Sequence, residues 1–373
     1  MKISVITLHN IKNYGSALQT YATQKILRSY ATEVEIINYY RKNALEENIV
    51  QSRMKKSKIF SKNFLTKIVG KILIGQSVKK QCKVFNKFLK ENINLTKKYS
   101  SYEELRDDYP EADIYCTGSD QVWNSDWNEG IDKAFFLDFV PDNKKRIAYA
   151  ASFGKEKLDD FEIEETRKLL EKYSAISVRE DSAVQIVKDL GINNVVQVID
   201  PTLMLTKEEW KGLVQDIKQK NKYILVYQLN TKNPSFDKYV KELSKRKKMP
   251  VVRISNTIYQ KIKYGKFIYC PTIEQFLSYF ANAEYVVTDS FHGTGFSINF
   301  NKKFVCIFPQ KFSSRLQSIL NLTGLEERQV KDFKNFDLID KNIDYERVNK
   351  IIQGEREKAK RFLYNAIKGE NND

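Results

Sequence analysis

The 373-residue sequence holds only two histidines, His9 and His292, and four cysteines, Cys82, Cys116, Cys270 and Cys306. The cysteines are far apart and form no CxxC pair. That argues against a structural zinc site and for reduced thiols in a cytoplasm. No apolar run reaches eighteen residues, so no transmembrane helix is expected. The N-terminus, MKISVITLHN, lacks the apolar core and small-residue cleavage site of a signal peptide and reads as a first strand. No GxGxxG follows that strand, and no GxxxxGK precedes a Ser or Thr, so dinucleotide binding and P-loop chemistry lose support. HExxH and a DxD-like acidic pair at a strand end are absent too, so neither a metal nor a cofactor is expected.

Acids are in deficit. The chain has 63 Lys and Arg against 47 Asp and Glu, a formal net charge of +16. The excess is local: between Val50 and Ser100, fourteen Lys or Arg stand against one acid, Glu91. Such a field favours polyanions. Aromatic-interleaved basic motifs for single-stranded nucleic acid are not evident, so nucleic acid is not an expected partner. Within the stretch, Phe64, Leu65, Ile68, Val69 and Ile72 form an apolar face, with Lys67 and Lys71 roughly opposite and Lys62 at its flank. Two readings stay open: a basic amphipathic helix at an anionic membrane surface, or a solvated helix covering a core. The expected location is the cytoplasm, with the inner face of the cell membrane left open by this stretch.

What is present is globular. Hydrophobic residues make up 42% and aromatics 12%, and the length suits two α/β domains. Lys2 to Leu8 reads as a buried strand, Ala17 to Ser29 as a helix entered through Gly15, and Glu33 to Tyr39 as a second strand, a βαβ opening. Further strands are expected at Asp113–Cys116, Arg146–Ala151, Ala175–Val178 and Val195–Val198. Pro201 is expected to end regular structure, with a domain boundary near Met204. The alternation then restarts, with strands at Tyr223–Leu229, Val251–Ile254, Tyr285–Thr288 and Phe304–Phe308 and a long charged helix from Tyr345 to Lys368. The expected organisation is a first Rossmann-like domain over 1–204 with a basic insertion at about 50–100, a second over 205–343, and a C-terminal helix over 344–373. The two domains would face one another across a cleft.

The polar clusters all follow predicted strands: Asn13-Tyr14-Gly15, Gly118-Ser119-Asp120-Gln121, Ser152, Arg179-Glu180 and Asp289-Ser290-Phe291-His292. In parallel sheets such positions gather on one edge, where ligands bind. The last cluster lies on a strand-to-helix turn, with Gly293 and Gly295 allowing close approach of a ligand to the backbone. Trp123, a large aromatic in a polar loop, either stacks on a sugar face or caps the core.

Taken together, Asn13-Tyr14-Gly15 with Gln19, Gly118 to Asn124, Tyr149 to Gly154, Ser177 to Glu180, Asp200-Pro201-Thr202 and Thr288 to Gly293 resemble the polysaccharide pyruvyl transferase family. The resemblance runs in order from the first strand to about Arg328. It implies an α/β fold of two Rossmann-like domains similar to the GT-B glycosyltransferases, with the active site in the inter-domain cleft. It also implies transfer of the enolpyruvyl carbons of phosphoenolpyruvate to two hydroxyls of a saccharide or lipid-linked oligosaccharide, giving a pyruvate ketal. The family histidine maps onto His292 and an arginine after a first-domain strand maps onto Arg179. Ser290 stands where some members carry an arginine, so the donor anion would be held by Ser290 with Arg179, Arg315, or the amides of Gly293 and Thr294. Asp120 is our own assignment, a carboxylate to stabilise positive charge at the central carbon. Asn13, Tyr14, Gly15, Gln121, Trp123 and Asn124 are assigned to the acceptor side. The competing expectation is a nucleotide-sugar-dependent glycosyltransferase of the same architecture.

Overall fold

A computed structural model describes residues 1–41, 45–56, 64–217, 219, 221–230, 232–310 and 313–369. The first half builds a seven-stranded sheet from β1 (Lys2–Ile6), β2 (Glu33–Tyr39), β3 (Leu95–Tyr99), β4 (Ile114–Thr117), β5 (Lys145–Ala151), β6 (Ala175–Val178) and β7 (Val195–Gln197). Its spatial order is β3-β2-β1-β4-β5-β6-β7, and every pairing is parallel. The second half builds a five-stranded parallel sheet from β8 (Ile224–Tyr227), β9 (Val251–Ser255), β10 (Lys266–Tyr269), β11 (Tyr285–Thr288) and β12 (Lys303–Cys306), in the order β10-β9-β8-β11-β12. Both are doubly wound sheets whose order reverses beside the first strand of each half, β1 and β8. At such a reversal the loops part and leave room for a ligand.

The inner strands are largely apolar and buried on both sides because helices cover both faces. Ile224, Leu225 and Val226 are all fully buried, as are Ile3, Val5 and Ile6. One continuous apolar core joins the halves. Tyr14 is part of that seam: its ring stacks on Phe276 at 4.4 Å and its hydroxyl donates to the Pro271 carbonyl at 2.8 Å. Pro201, expected to end regular structure, instead opens a short helix, Pro201–Met204, as its first residue. A proline there costs no hydrogen bond, because the first-turn N–H has no partner anyway. Asn299 of the second half donates to the carbonyls of Thr202 and Leu205 at 3.0 and 2.9 Å, which ties this connection down. The C-terminal helix, Tyr345–Lys368, returns to the first half, where the Ile367 carbonyl accepts from Lys145 and the Leu203 carbonyl from Arg356.

The basic stretch forms helices α2 (Glu46–Lys56) and α3 (Phe64–Asn92) and then the edge strand β3. Lys62 and the side chain of Leu65 lie outside the described residues. Among the described residues, no helix is long and apolar enough to cross a membrane.

Candidate active site between the two sheets

The carboxyl ends of β1, β4, β8, β11 and β12 converge on a cleft of about 680 Å³. Its lining includes Asn13, Ser16, Asp120 and Gln121 from the first half and Asp289, Ser290, Phe291, His292 and Arg315 from the second.

The turn after β11 is fixed from within. Thr288 Oγ1 donates to the Tyr227 carbonyl at 2.7 Å and accepts from the Ser290 amide at 3.1 Å. The Asp289 carboxylate accepts from the amides of Leu229 and Asn230 at 2.6 and 2.8 Å, locking the loop after β8 to the turn. Burial nevertheless pushes Asp289 up to about 6. Ser290 caps the helix Phe291–Asn299 by accepting from the Gly293 amide at 3.2 Å. His292 therefore leaves the first turn of a rigidly held helix and points across the cleft.

Its ring packs over Gly15 in the first turn of α1 (Tyr14–Leu27). A Cβ on Gly15 would fall 2.0 Å from His292 Nδ1. Hydrogen at that Cα is what lets the imidazole lie there. On its other edge, Nε2 is buried with no hydrogen-bond partner among the described residues, 3.8 Å from Asp200 Oδ2. Burial lowers the imidazole below its ordinary 6.5; Asp200 and Asp120 push it up, and Arg179 and Arg315 push it down. Gly15→Ala is expected to drive the ring out of this pocket. With only two histidines in the chain, a proton NMR titration should then show one of them moving toward its ordinary value. A titration identical to the unsubstituted protein would refute this packing.

Behind the His292 turn is a buried charge cluster. Asp200 accepts from Arg179 Nη1 at 2.7 Å, from Ser119 Oγ at 3.1 Å, and from the amide and hydroxyl of Thr202 at 2.8 and 2.6 Å. Burial alone would raise this carboxyl, but Arg179, His292 and these donors hold it at about 2. Asp120 accepts from Ser16 Oγ at 2.5 Å and lies 3.8 Å from Arg179 Nη2. Its backbone is left-handed, with φ of 77°. That conformation is costly for a residue with a side chain, and it aims the carboxylate at the cleft. Ala150 on neighbouring β5 is also left-handed, at a register shift that lets Ala151 bridge Asp120. Bulges of this kind recur where a strand must redirect a functional side chain.

The structure redistributes several expected roles. Arg179 does not line the cleft; its side chain is 1% exposed and its guanidinium lies against the inner side of Phe291, 4.5 Å from the ring centroid. Arg315 does line it, 5.9 Å from the same ring, and Nε has no partner among the described residues. Burial and the proximity of Arg179 bring Arg315 down to about 10, so it stays cationic at neutrality. The amides of Gly293 and Thr294 are not available to an anion, because they donate to Ser290 Oγ and to the Ser290 carbonyl. The amides with no intrahelical acceptor are those of Phe291 and His292, by their first-turn position. Gly293 serves packing instead: a Cβ there would meet Thr288 Oγ1 at 2.3 Å.

On the acceptor side, Asn13 and Gln121 line the cleft, whereas Tyr14, Gly15, Trp123 and Asn124 do not. Tyr14 is core, as described. Trp123 is 2% exposed, stacks on Phe136 and donates Nε1–H to the Phe135 carbonyl. Asn124 caps the short helix Ser125–Asn128 and donates to Gln121 Oε1 at 2.9 Å, so it orients a lining residue. The tryptophan at the cleft is Trp127, half exposed on that helix. Arg41, two residues past β2, is a further lining residue that the sequence analysis does not single out. It donates to the Trp127 carbonyl at 3.2 Å and carries a buried Nε with no hydrogen-bond partner among the described residues.

A polysaccharide pyruvyl transferase family model matches residues 13–307 of the chain. No curated protein matches it. Among solved structures the chain is similar to a protein described as a putative UDP-N-acetylglucosamine 2-epimerase from Listeria monocytogenes, with a TM-score of 0.56, 12% identity, and coverage of 100% of this chain and 98% of that one. It is also similar to MnaA of S. aureus in a co-structure with UDP, with a TM-score of 0.51, 13% identity, and coverage of 98% and 90%. At such identities the likeness shows the fold alone, two Rossmann-like halves of the GT-B type.

Proposed function

Because the chain belongs to the polysaccharide pyruvyl transferase family, and is thus a transferase, we propose that it joins phosphoenolpyruvate to two hydroxyls of a saccharide. The observation that carries this reading is the His292 imidazole, neutral at neutrality and without a hydrogen-bond partner on Nε2 among the described residues, lining the same cleft as the cationic Arg315. Phosphoenolpyruvate is a small polyanion. Arg315, Arg41 and the first-turn amides of Phe291 and His292 supply charge-assisted and helix-terminal donors suited to its carboxylate and phosphate.

One acceptor hydroxyl attacks the central carbon, and its proton passes through His292 to the methylene carbon, which becomes a methyl group. The second hydroxyl displaces phosphate, its proton leaving with that group, and the ketal closes. Positive charge at the central carbon between these steps is opposed by the Asp120 carboxylate. Burial would raise that carboxyl, but Arg179, His292 and the Ser16 hydroxyl hold it below its ordinary value, so it is ionised. Trp127 offers an exposed ring for the acceptor sugar, and Asn13 and Gln121 offer polar contacts to its hydroxyls.

Incubation with phosphoenolpyruvate and candidate glycans should yield a ketal by mass spectrometry together with released phosphate. Consumption of a nucleotide sugar with no ketal would overturn the reading in favour of a glycosyltransferase. Arg315→Ala is expected to raise the donor KM by roughly 10–100-fold, the loss of one charge-assisted contact, with a smaller effect on kcat. An unchanged donor KM would remove Arg315 from the donor site.

A further inference from the structure

The helical pair α2–α3 carries a surface that the proposed transfer does not use. Five large apolar side chains in the first ten residues of α3 are exposed: Phe64, Ile68, Val69, Ile72 and Leu73, with Phe64 at 75% and Ile72 at 54%. Scattered exposed apolar residues need no explanation, but a contiguous row does. At about 100° per residue, Ile68, Val69, Ile72 and Leu73 share one sector of the helix with Lys79, Lys83, Lys87 and Lys90, all exposed. The opposite sector is buried through Ile74, Val78, Gln81, Phe85 and Phe88. The outward face of α3 is thus apolar in its first third and cationic over the remainder. Its one acid, Glu91, lies 3.8 Å from Lys87. From Ile68 to Lys90 this face runs about 33 Å, at about 1.5 Å per residue.

The middle of α3 is anchored to both halves beside the cleft. Lys12, next to the cleft residue Asn13, donates to Asn86 at 2.8 Å, and Gln81 donates to the Asn256 carbonyl at 2.6 Å. Asn256 in turn donates to the Lys12 carbonyl. Ser77 and Tyr269 of β10 share a hydrogen bond at 2.5 Å.

We propose that the outward face of α3 docks on an anionic lipid bilayer, with Phe64, Ile68, Val69, Ile72 and Leu73 entering the headgroup boundary and the lysines lying over anionic headgroups. Charge complementarity selects this occupant. The stretch from Val50 to Ser100 has fourteen cations and one acid, while a row of bare apolar side chains gains nothing from a nucleic-acid backbone. Binding is peripheral and salt-sensitive, because no described helix is long and apolar enough to span a membrane. Docking itself does not depend on the proposed chemistry. Its consequence does: the cleft is held near a bilayer, so the acceptor saccharide would be lipid-linked.

The full chain is to be co-sedimented with vesicles of neutral phosphatidylcholine alone and with added phosphatidylglycerol, at low and high salt. Recovery on the anionic vesicles at low salt and release at high salt are expected. Ile68→Glu with Ile72→Glu, and separately Lys79→Glu with Lys83→Glu, are each expected to lower partitioning at least about tenfold. Thermal unfolding and ketal formation on a water-soluble glycan should be unchanged in both, since these side chains are exposed and outside the cleft. Equal recovery on neutral and anionic vesicles, or none at low salt, would overturn the proposal. So would a dimer by light scattering that the Ile68/Ile72 variant dissolves, without vesicle binding, since the face would then cover a second copy of the chain. The vesicle, light-scattering and thermal-unfolding readouts need no phosphoenolpyruvate, so a failure of docking and a failure of the transferase reading are distinguishable.

Discussion

His292→Ala is expected to lower turnover by roughly 10²–10⁴-fold, the usual contribution of a positioned acid/base, while the protein stays folded. The fold is expected to survive because the ring makes no hydrogen bond through Nε2 among the described residues and packs largely over Gly15 and beside Phe291. Removing it therefore opens a small space and leaves no new polar orphan. Activity is another matter. No second histidine can substitute, since His9 is held between the Thr7 carbonyl and Asn38 behind the cleft. The pH dependence gives an independent check. Burial, the largest influence, places His292 below 6.5, so the acidic limb of kcat/KM should fall below pH 6.5 as the imidazole is protonated and ceases to accept the hydroxyl proton. Near-normal turnover of the alanine variant, or a limb above pH 6.5, would remove His292 from the role of base.

Much of this site could be read from the chain because parallel sheets impose a rule. Residues just past a strand collect at one edge, so Asn13, Asp120, Gln121, Ser290 and His292 could be grouped without coordinates. The rule fixes the edge but not the direction of a side chain. Tyr14 and Trp123 occupy the same loops as true lining residues, yet both point inward. Their apolar surface is worth more against Phe276 and Phe136 than in a wet cleft. Arg41 and Trp127 were missed for other reasons. Arg41 lies two residues past β2, where the rule applies, but as a single cation outside any polar cluster it does not stand out, and Trp127 is on a four-residue helix ten residues past β4, beyond the rule's reach. Tertiary hydrogen bonds from Arg41 to the Trp127 carbonyl and to Asn128 Oδ1, across 86 and 87 residues, bring them together. The first turns of α3 were legible as an apolar face with lysines. The strand β3 that follows was not, since Leu95 to Tyr99 contains two lysines and serves only as a sheet edge, where one face is wet.

Arg179→Ala is expected to cost stability rather than donor affinity. In the folded chain the guanidinium is the partner of Asp200 at 2.7 Å, stands 3.8 Å from Asp120 and 3.7 Å from Glu180, and is 1% exposed. Deleting one member of a buried ion cluster leaves the others uncompensated, which costs roughly 3–5 kcal/mol. A shift of the urea midpoint is the measure. Asp200 supplies a second signature. Its folded value of about 2 lies below the ordinary 3.8, so it contributes stability that is present above about pH 4 and lost as pH falls toward 2. Without Arg179, the main source of that depression, the carboxyl should rise. Acid unfolding should then begin at a higher pH in the variant. Because Arg179 reaches the reaction only through Asp200, Asp120 and the Phe291 ring, kcat should fall more than the donor KM rises. Arg179→Lys should restore part of the stability, since a cation is returned, but less of the turnover, because an ammonium cannot hold Asp200 and lie flat on Phe291 at once. A variant with a normal midpoint and a raised donor KM would put Arg179 on the substrate after all.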